Sequence, residues 1–87
     1  PMIRIAIVDD NTFLQKAIQD KLRFFSDIEI RQRATNGEEI IDKVQQDHRL
    51  DLILMDIEMP KMNGIEATAI LKSKFPQIKI IMLTVFD

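Results

Sequence analysis

The sequence contains no cysteine, tryptophan or tyrosine, and it has only two glycines and three prolines. Without cysteine the chain can form neither disulfides nor thiolate metal sites, which agrees with a reducing compartment, so we expect a cytoplasmic protein. Charged residues interrupt every apolar run well before it could span a bilayer, and no membrane segment is predicted. No secretory pattern is present either, because Met2-Ile3-Arg4 leads directly into a predicted strand.

The chain also lacks an excess of charge of one sign. Its 14 acidic and 12 basic residues give a net charge of -2, which does not provide the positive surface that nucleic-acid binding requires. With 46% hydrophobic and 30% charged residues in a chain of 87, the composition is ordinary for a globular protein. We therefore expect one small domain that does not itself bind DNA.

Short β-branched runs alternate with amphipathic stretches, which predicts βαβ units and an α/β fold with a parallel sheet. The first and third strands are continuously apolar and are expected to be buried on both faces. The second contains Arg31-Gln32-Arg33, a polarity typical of an exposed sheet edge. The predicted strands span residues 3–8, 28–34, 52–55 and 78–83, and the helices are expected to begin at Asn11 or Thr12, at Asn36 and at Asn63.

Apolar spacing predicts which helical faces are buried. In the first helix the side chains expected to face the core are Leu14, Ile18, Leu22 and Phe25. Its polar residues, Gln15 among them, are expected to face away from the core. The third helix is expected to bury Ile65, Ile70 and Leu71. The fourth strand is apolar on both faces, and no later element is available to cover it. Such an edge predicts self-association of this chain.

Carboxylates stand where two strands are expected to end. Asp9 and Asp10 follow the first strand, and Asp56 follows the third. Ligands of open α/β sheets bind outside the carboxyl ends of the strands, so acids at two such ends can converge. A hard divalent cation with oxygen ligands would relieve the resulting concentration of negative charge. Taken singly, each acid could instead cap a turn or favour a helix N-terminus.

Five motifs occur in order on the expected elements: Asp9-Asp10, Asp56, Met59-Pro60, Gly64 and Leu83-Thr84. With them the chain resembles the receiver domain of bacterial two-component response regulators. Residues 59–68 further resemble the subfamily that carries a helix-turn-helix DNA-binding domain after the receiver. The resemblance implies a flavodoxin-like, doubly wound parallel sheet in the order 2-1-3-4. Residues 1–87 would then form an incomplete receiver domain that lacks helix four, strand five and helix five.

The resemblance also implies a role for each motif residue. Asp56 would accept a phosphoryl group from a histidine kinase or a phosphotransfer protein. Asp9 and Asp10 would hold Mg2+ together with Asp56 and the main-chain carbonyl of Glu58. Thr84 would contact the phosphoryl group and act as a switch. The domain would be a phosphorylatable signalling module rather than an enzyme, and in the full-length parent a C-terminal domain would bind DNA.

One family residue is missing from this chain: the lysine at the end of strand five, which pairs with the acceptor carboxylate. We therefore expect phosphorylation of the 87-residue form to be impaired. Val85 is larger than the residue often found beside the switch threonine, and its bulk could slow access to the site.

Two other interpretations remain open at this point. The chain could be a fragment of an aspartate-nucleophile, Mg2+-dependent phosphohydrolase of the haloacid dehalogenase type, although those enzymes usually place a second aspartate where this chain has Glu58. It could also be an association-prone half-domain without activity. His48 lies in a polar helix end, so we predict an exposed histidine rather than a phosphorylation site.

Overall fold

Four parallel strands form a single sheet in the order β2-β1-β3-β4 in the computed structural model, which describes residues 1–83. The predicted order and the central position of the first strand are confirmed. The elements are β1 (Ile3–Val8), α1 (Thr12–Leu22), β2 (Ile28–Ala34), α2 (Gly37–Gln46), β3 (Leu52–Asp56), α3 (Gly64–Lys74) and β4 (Lys79–Leu83).

The strand order determines which face of the sheet each helix covers. The chain moves one way from β1 to β2, and then moves the opposite way past β1 to β3 and β4. Since parallel crossovers are right-handed, this reversal places α1 on one face of the sheet and α2 and α3 on the other. The reversal lies between β1 and β3, which makes the carboxyl ends of these two strands the expected ligand position.

The main core lies between the sheet and the pair of helices α2 and α3. Ala6 and Val8 of β1 contribute to it, as do Ile53 and Met55 of β3, and all four are buried. The helices supply a second set of buried side chains, which includes Ile40, Val44, Ala67 and Leu71. Successive side chains of a strand alternate between faces. Ile5 and Ile7 therefore lie on the opposite face, on the same side of the sheet as α1, and both are buried.

The predicted buried face of α1 is wrong in part. Leu14, Ile18 and Leu22 are only half-buried, and Phe25 is 55% exposed. The buried residue of this helix is Gln15, whereas the apolar pattern predicted that Gln15 faces away from the core. Among the described residues α1 packs on its face of the sheet without a neighbouring helix, so its flanks stay open to solvent.

The prediction for the third helix is also wrong at one position. Leu71 is buried and Ile70 is half-buried, but Ile65 is 58% exposed. Ile65 lies in the first turn of α3, directly after Gly64. Its side chain points away from the core because the buried first-turn position is taken by Gly64, which packs against the end of β3.

The two edges of the sheet differ in polarity. β2 carries Arg31, and the register shifts there, because Ile5 pairs with Ile30 while Ala6 pairs with Gln32. A charged side chain at a bulge protects an edge from pairing with another strand. Within residues 1–83, β4 pairs with β3 alone, and Ile81 on it is 48% exposed. The polar β2 edge is confirmed, and β4 is the apolar edge of the described sheet.

Candidate functional site

Three carboxylates meet at the carboxyl ends of β1 and β3. These strands are adjacent and parallel, and Val8 pairs with Met55, so the residues that follow each of them lie side by side. Asp9, Asp10 and Asp56 each offer an oxygen, and these oxygens all lie within 4.8 Å of one another. Asp9 is buried, Asp56 is half-buried and Asp10 is exposed. The structure thus brings together the three acids that the sequence placed at strand ends, and we call them the acidic cluster.

Two members of the acidic cluster resist ionisation. Burial raises the pKa of Asp56, and the charge of Asp9 raises it further. Burial also raises the pKa of Asp9, although the hydrogen bond from the Asn11 amide opposes the shift. Burial and a neighbouring negative charge both disfavour the charged form of a carboxylate. A cation bound here would remove the mutual repulsion, and the donor set consists only of hard oxygen ligands, which fits Mg2+ rather than a soft metal.

The backbone around Asp9 is held from several sides. Its N–H donates to the carbonyl of Ala34 at 3.1 Å, which joins the ends of β1 and β2. One oxygen of its carboxylate accepts from the N–H of Asn11 at 2.9 Å. The side-chain amide of the buried Gln15 donates to the Asp9 carbonyl at 2.6 Å. Sequence reasoning missed Gln15, and the available signal was its place in the first turn of the helix that follows the acids.

Asp56 is held by the loop that joins β3 to α3. Its carboxylate accepts from the N–H of Ile57 at 2.9 Å, and the N–H of Gly64 donates to the Ile57 carbonyl at 2.8 Å. A Cβ atom at Gly64 would lie 2.0 Å from the main-chain oxygen of Asp56. Only glycine lets the start of α3 approach the end of β3 this closely. Asn63 and Glu66 form a reciprocal capping box that fixes where α3 begins.

The middle of the same loop has a strained backbone. Lys61 has a φ of 67° and is the one non-glycine residue with positive φ among residues 1–83. The N–H of Met62 donates to the Pro60 carbonyl at 2.7 Å, which closes a tight turn around Lys61. The N–H of Gly37 donates to the Met62 carbonyl at 2.9 Å, so the loop is also fastened to the start of α2. Lysine rarely adopts the left-handed conformation, so the residue type at this position does not predict the strain.

The other residues singled out in the sequence are Glu58, Thr84, Val85 and His48, and the structure describes two of them, Glu58 and His48. Glu58 lies exposed in the β3–α3 loop, and its charge contributes to the raised pKa of Asp56. Its carbonyl as a metal ligand stays a prediction. Thr84 and Val85 lie outside the described residues. His48 is exposed and stacks on Phe75, with the ring centroids 5.9 Å apart.

Comparison with known proteins identifies the family. The model of the response regulator receiver domain matches residues 5–87. The chain belongs to the response regulator receiver domain family. It is 42% identical over 84 residues to the response regulator protein VraR of Staphylococcus aureus, covering 97% of this chain and 40% of that protein. It is 35% identical over 85 residues to the transcriptional regulatory protein LnrK of Bacillus subtilis, covering 98% of this chain and 38% of that protein.

A solved receiver structure agrees with the fold. The chain is similar to a structure of the CheX-CheY-BeF3-Mg2+ complex from Borrelia burgdorferi, with a TM-score of 0.84, 28% identity, and coverage of 92% of this chain and 60% of that one. The flavodoxin-like receiver fold is confirmed, and the family match favours a receiver over a phosphohydrolase. The receiver chain spans about two fifths of the length of VraR and LnrK. None of the helices described in residues 1–83 is long and apolar enough to cross a membrane.

Proposed function

We propose that this receiver domain takes up a phosphoryl group on Asp56 in a Mg2+-dependent reaction, with a histidine kinase or a phosphotransfer protein as donor. The observation that carries the proposal is the acidic cluster itself, whose oxygens lie within 4.8 Å of one another at the junction of β1 and β3. A strand-end carboxylate next to two further acids is suited to nucleophilic attack beside a bound cation. The receiver would then act as a signalling switch rather than as an enzyme.

The transfer balances as a simple displacement. A carboxylate oxygen of Asp56 forms a bond to phosphorus while the bond between phosphorus and the histidine nitrogen of the donor breaks. The electron pair stays on the imidazole, which then takes up a proton. Only ionised Asp56 can attack, and because burial and Asp9 raise the pKa of Asp56, acidification should slow the reaction.

The other site residues would prepare this step. Asp9, Asp10 and the main-chain carbonyl of Glu58 would hold Mg2+ together with Asp56. When bound, Mg2+ would neutralise the charge of the incoming phosphoryl oxygens. Asp9 is positioned for this task by two hydrogen bonds: its N–H donates to the Ala34 carbonyl, and its carboxylate accepts from the N–H of Asn11. Thr84, which lies outside the described residues, would contact a phosphoryl oxygen and act as the switch that responds to phosphorylation.

The output of the switch would lie in a longer protein. The relatives VraR and LnrK are more than twice as long as the region they share with this chain, and LnrK is named as a transcriptional regulator. We therefore propose a cytoplasmic parent protein that binds DNA through a separate C-terminal domain. The receiver itself, with its net charge of -2, would not bind DNA.

Phosphorylation can be tested with acetyl phosphate as a small donor. Because phosphorylation of the 87-residue form is expected to be slow, labelling is followed over a long incubation. We expect the protein to gain one phosphate in the presence of Mg2+ and to lose it on treatment with hydroxylamine, which cleaves acyl phosphates. Asp56→Asn should abolish labelling, whereas Asp42→Asn, which alters an exposed acid on α2, should not. Absence of any labelling in the wild-type chain would contradict the proposal, and rapid turnover of many phosphates per chain would indicate a phosphatase.

We further propose that the 87-residue chain self-associates through β4. Ile81, Met82 and Leu83 are all exposed on this strand, and a groove of about 550 Å³ runs beside it. Unprotected apolar edges pair with other strands. Light scattering after size-exclusion chromatography should show a dimer or larger species that Ile81→Lys converts to a monomer. Ile65→Lys, on the exposed side of α3, serves as control, and a monomeric wild-type chain at high concentration would contradict the idea.

A further inference from the structure

Gln15 is a buried polar residue beside the acidic cluster, and hydrophobic packing does not explain why it is buried. It lies in the first turns of α1 and is only 6% exposed, although the apolar pattern of the helix places it on the polar side. A buried amide is costly unless it is hydrogen-bonded. The contacts of its NH2 group therefore indicate what the residue does.

The amide of Gln15 joins three elements at the site. Its Nε2 atom donates to the Asp9 carbonyl at 2.6 Å and to the Ala34 carbonyl at 2.7 Å. Ala34 O also accepts the N–H of Asp9 at 3.1 Å. One NH2 group has two hydrogens, so both are used on the carbonyls at the ends of β1 and β2. The donor itself is carried by α1.

These contacts fix the main chain of Asp9 on both sides. The Asp9 N–H is bound to β2, its carbonyl is bound to Gln15, and its carboxylate accepts from the N–H of Asn11. The main chain that carries the carboxylate is therefore held in place, and the carboxylate itself is held by the N–H of Asn11 in the same turn. With an apolar side chain at position 15, the Asp9 carbonyl would lose its donor in a buried setting, and the turn would gain freedom to move.

We propose that Gln15 is a positioning residue for the cation site, which holds the Asp9 turn so that the oxygens of the acidic cluster converge. The inference rests on the proposed Mg2+-dependent function and adds to it a residue that touches neither the cation nor the phosphoryl group. Residues that orient metal ligands typically change metal affinity by about 10- to 100-fold when they are replaced. A purely structural residue would change the stability of the fold but not the affinity of the folded protein.

The test compares Gln15→Met with the wild-type chain. Methionine has a similar length and shape but cannot donate. We expect it to weaken Mg2+ binding by about 10-fold, measured by titration calorimetry at a temperature where urea unfolding shows both proteins to be folded. The amide resonance of Asn11, which reports its bond to the Asp9 carboxylate, should also shift before Mg2+ is added.

Gln19→Met is the matched control. Gln19 lies one turn further along α1, and its side chain accepts from Arg33 at 2.7 Å without contacting Asp9, so Mg2+ affinity should be unchanged. If Gln15→Met does not fold, Gln15→Asn keeps the amide but draws it back by one methylene, and it should weaken binding too. Affinity equal to wild type in the folded variant overturns the inference. Failure of the wild-type chain to bind Mg2+ would instead overturn the proposed function.

Discussion

Lys61 adopts a backbone conformation that its side chain disfavours. Its φ of 67° lies in the left-handed region, which costs a non-glycine residue roughly 1–2 kcal/mol. Glycine removes this strain, and its greater freedom in the unfolded chain offsets part of the gain by about 0.5–1 kcal/mol. We predict that Lys61→Gly raises the free energy of unfolding by about 0.5–1 kcal/mol, measured with urea.

A second lysine provides the control for this change. Lys72 is exposed within α3, where glycine costs about 1 kcal/mol. Lys72→Gly should therefore lower the free energy of unfolding while Lys61→Gly raises it. If both substitutions were destabilising, the strain assigned to the loop would not exist.

The ionised side chain of Asp56 destabilises the metal-free fold. Because burial and Asp9 raise its pKa above the ordinary value of 3.8, the native state binds the proton more tightly than the unfolded state does. The free energy of unfolding then falls as the pH rises from 3.8 through the raised pKa. We predict that Asp56→Asn is more stable than wild type at neutral pH without Mg2+.

The pH dependence separates this electrostatic effect from a change in packing. As the pH falls toward the ordinary value of 3.8, wild-type Asp56 becomes protonated and the advantage of the asparagine should shrink. Urea unfolding from pH 7 to pH 4 measures this difference. The exposed Asp42→Asn is the control, and an advantage that does not depend on pH would contradict the mechanism.

At the scale of the elements, the strands were more predictable than the helix faces. Continuous apolar runs such as Ile5 to Val8 identify buried strands because both faces of the sheet require them. Which residues of a helix are buried depends on whether another helix lies beside it. Among the described residues α1 has no neighbouring helix, whereas α2 and α3 pack side by side. Gln15 shows the limit most clearly, since a polar residue at the start of a helix is ordinarily exposed.

The candidate site was predictable to the same extent as the strands. Asp9 and Asp56 stand at strand ends in the sequence itself, and parallel topology brings such ends together. The residues that shape the surroundings of Asp9 and Asp56 were not predicted. Gln15 donates to two main-chain carbonyls, and Lys61 contributes an unusual backbone angle. Neither the contacts of the Gln15 amide nor the Lys61 angle can be inferred from apolar spacing, and the only signal for Gln15 is its place in the first turn of the helix after the acids. The sequence therefore predicts which carboxylates meet at the site, and the tertiary packing determines how they are positioned.

The approach of α3 to β3 requires a glycine at one position. A Cβ atom at Gly64 would lie 2.0 Å from the Asp56 carbonyl oxygen, which is backbone and cannot move aside easily. We predict that Gly64→Ala displaces the start of α3 and lowers the free energy of unfolding by about 1–3 kcal/mol. Ser73→Ala, exposed on the same helix, should have little effect. Unchanged stability in Gly64→Ala would show that this contact relaxes freely.

For the whole molecule, Mg2+ should act as a stabilising ligand. The metal-free fold holds oxygens of three carboxylates within 4.8 Å of one another, and the resulting repulsion decreases when unfolding separates Asp56 from Asp9 and Asp10. A ligand that binds only the native state adds about 2.7 kcal/mol to the free energy of unfolding at about 100 times its Kd. We predict that Tm rises with Mg2+ concentration and that, above the Kd, it continues to rise with the logarithm of that concentration.

Two comparisons test whether this stabilisation arises at the acidic cluster. Asp9→Asn should remove most of the Mg2+-dependent rise in Tm, while Asp42→Asn should preserve it. Lower pH should also weaken the effect, because the raised pKa values of Asp9 and Asp56 let protons compete with the cation. An equal rise in Tm for wild type and Asp9→Asn would place Mg2+ elsewhere on the molecule, since the cation would then be indifferent to the most buried carboxylate of the cluster.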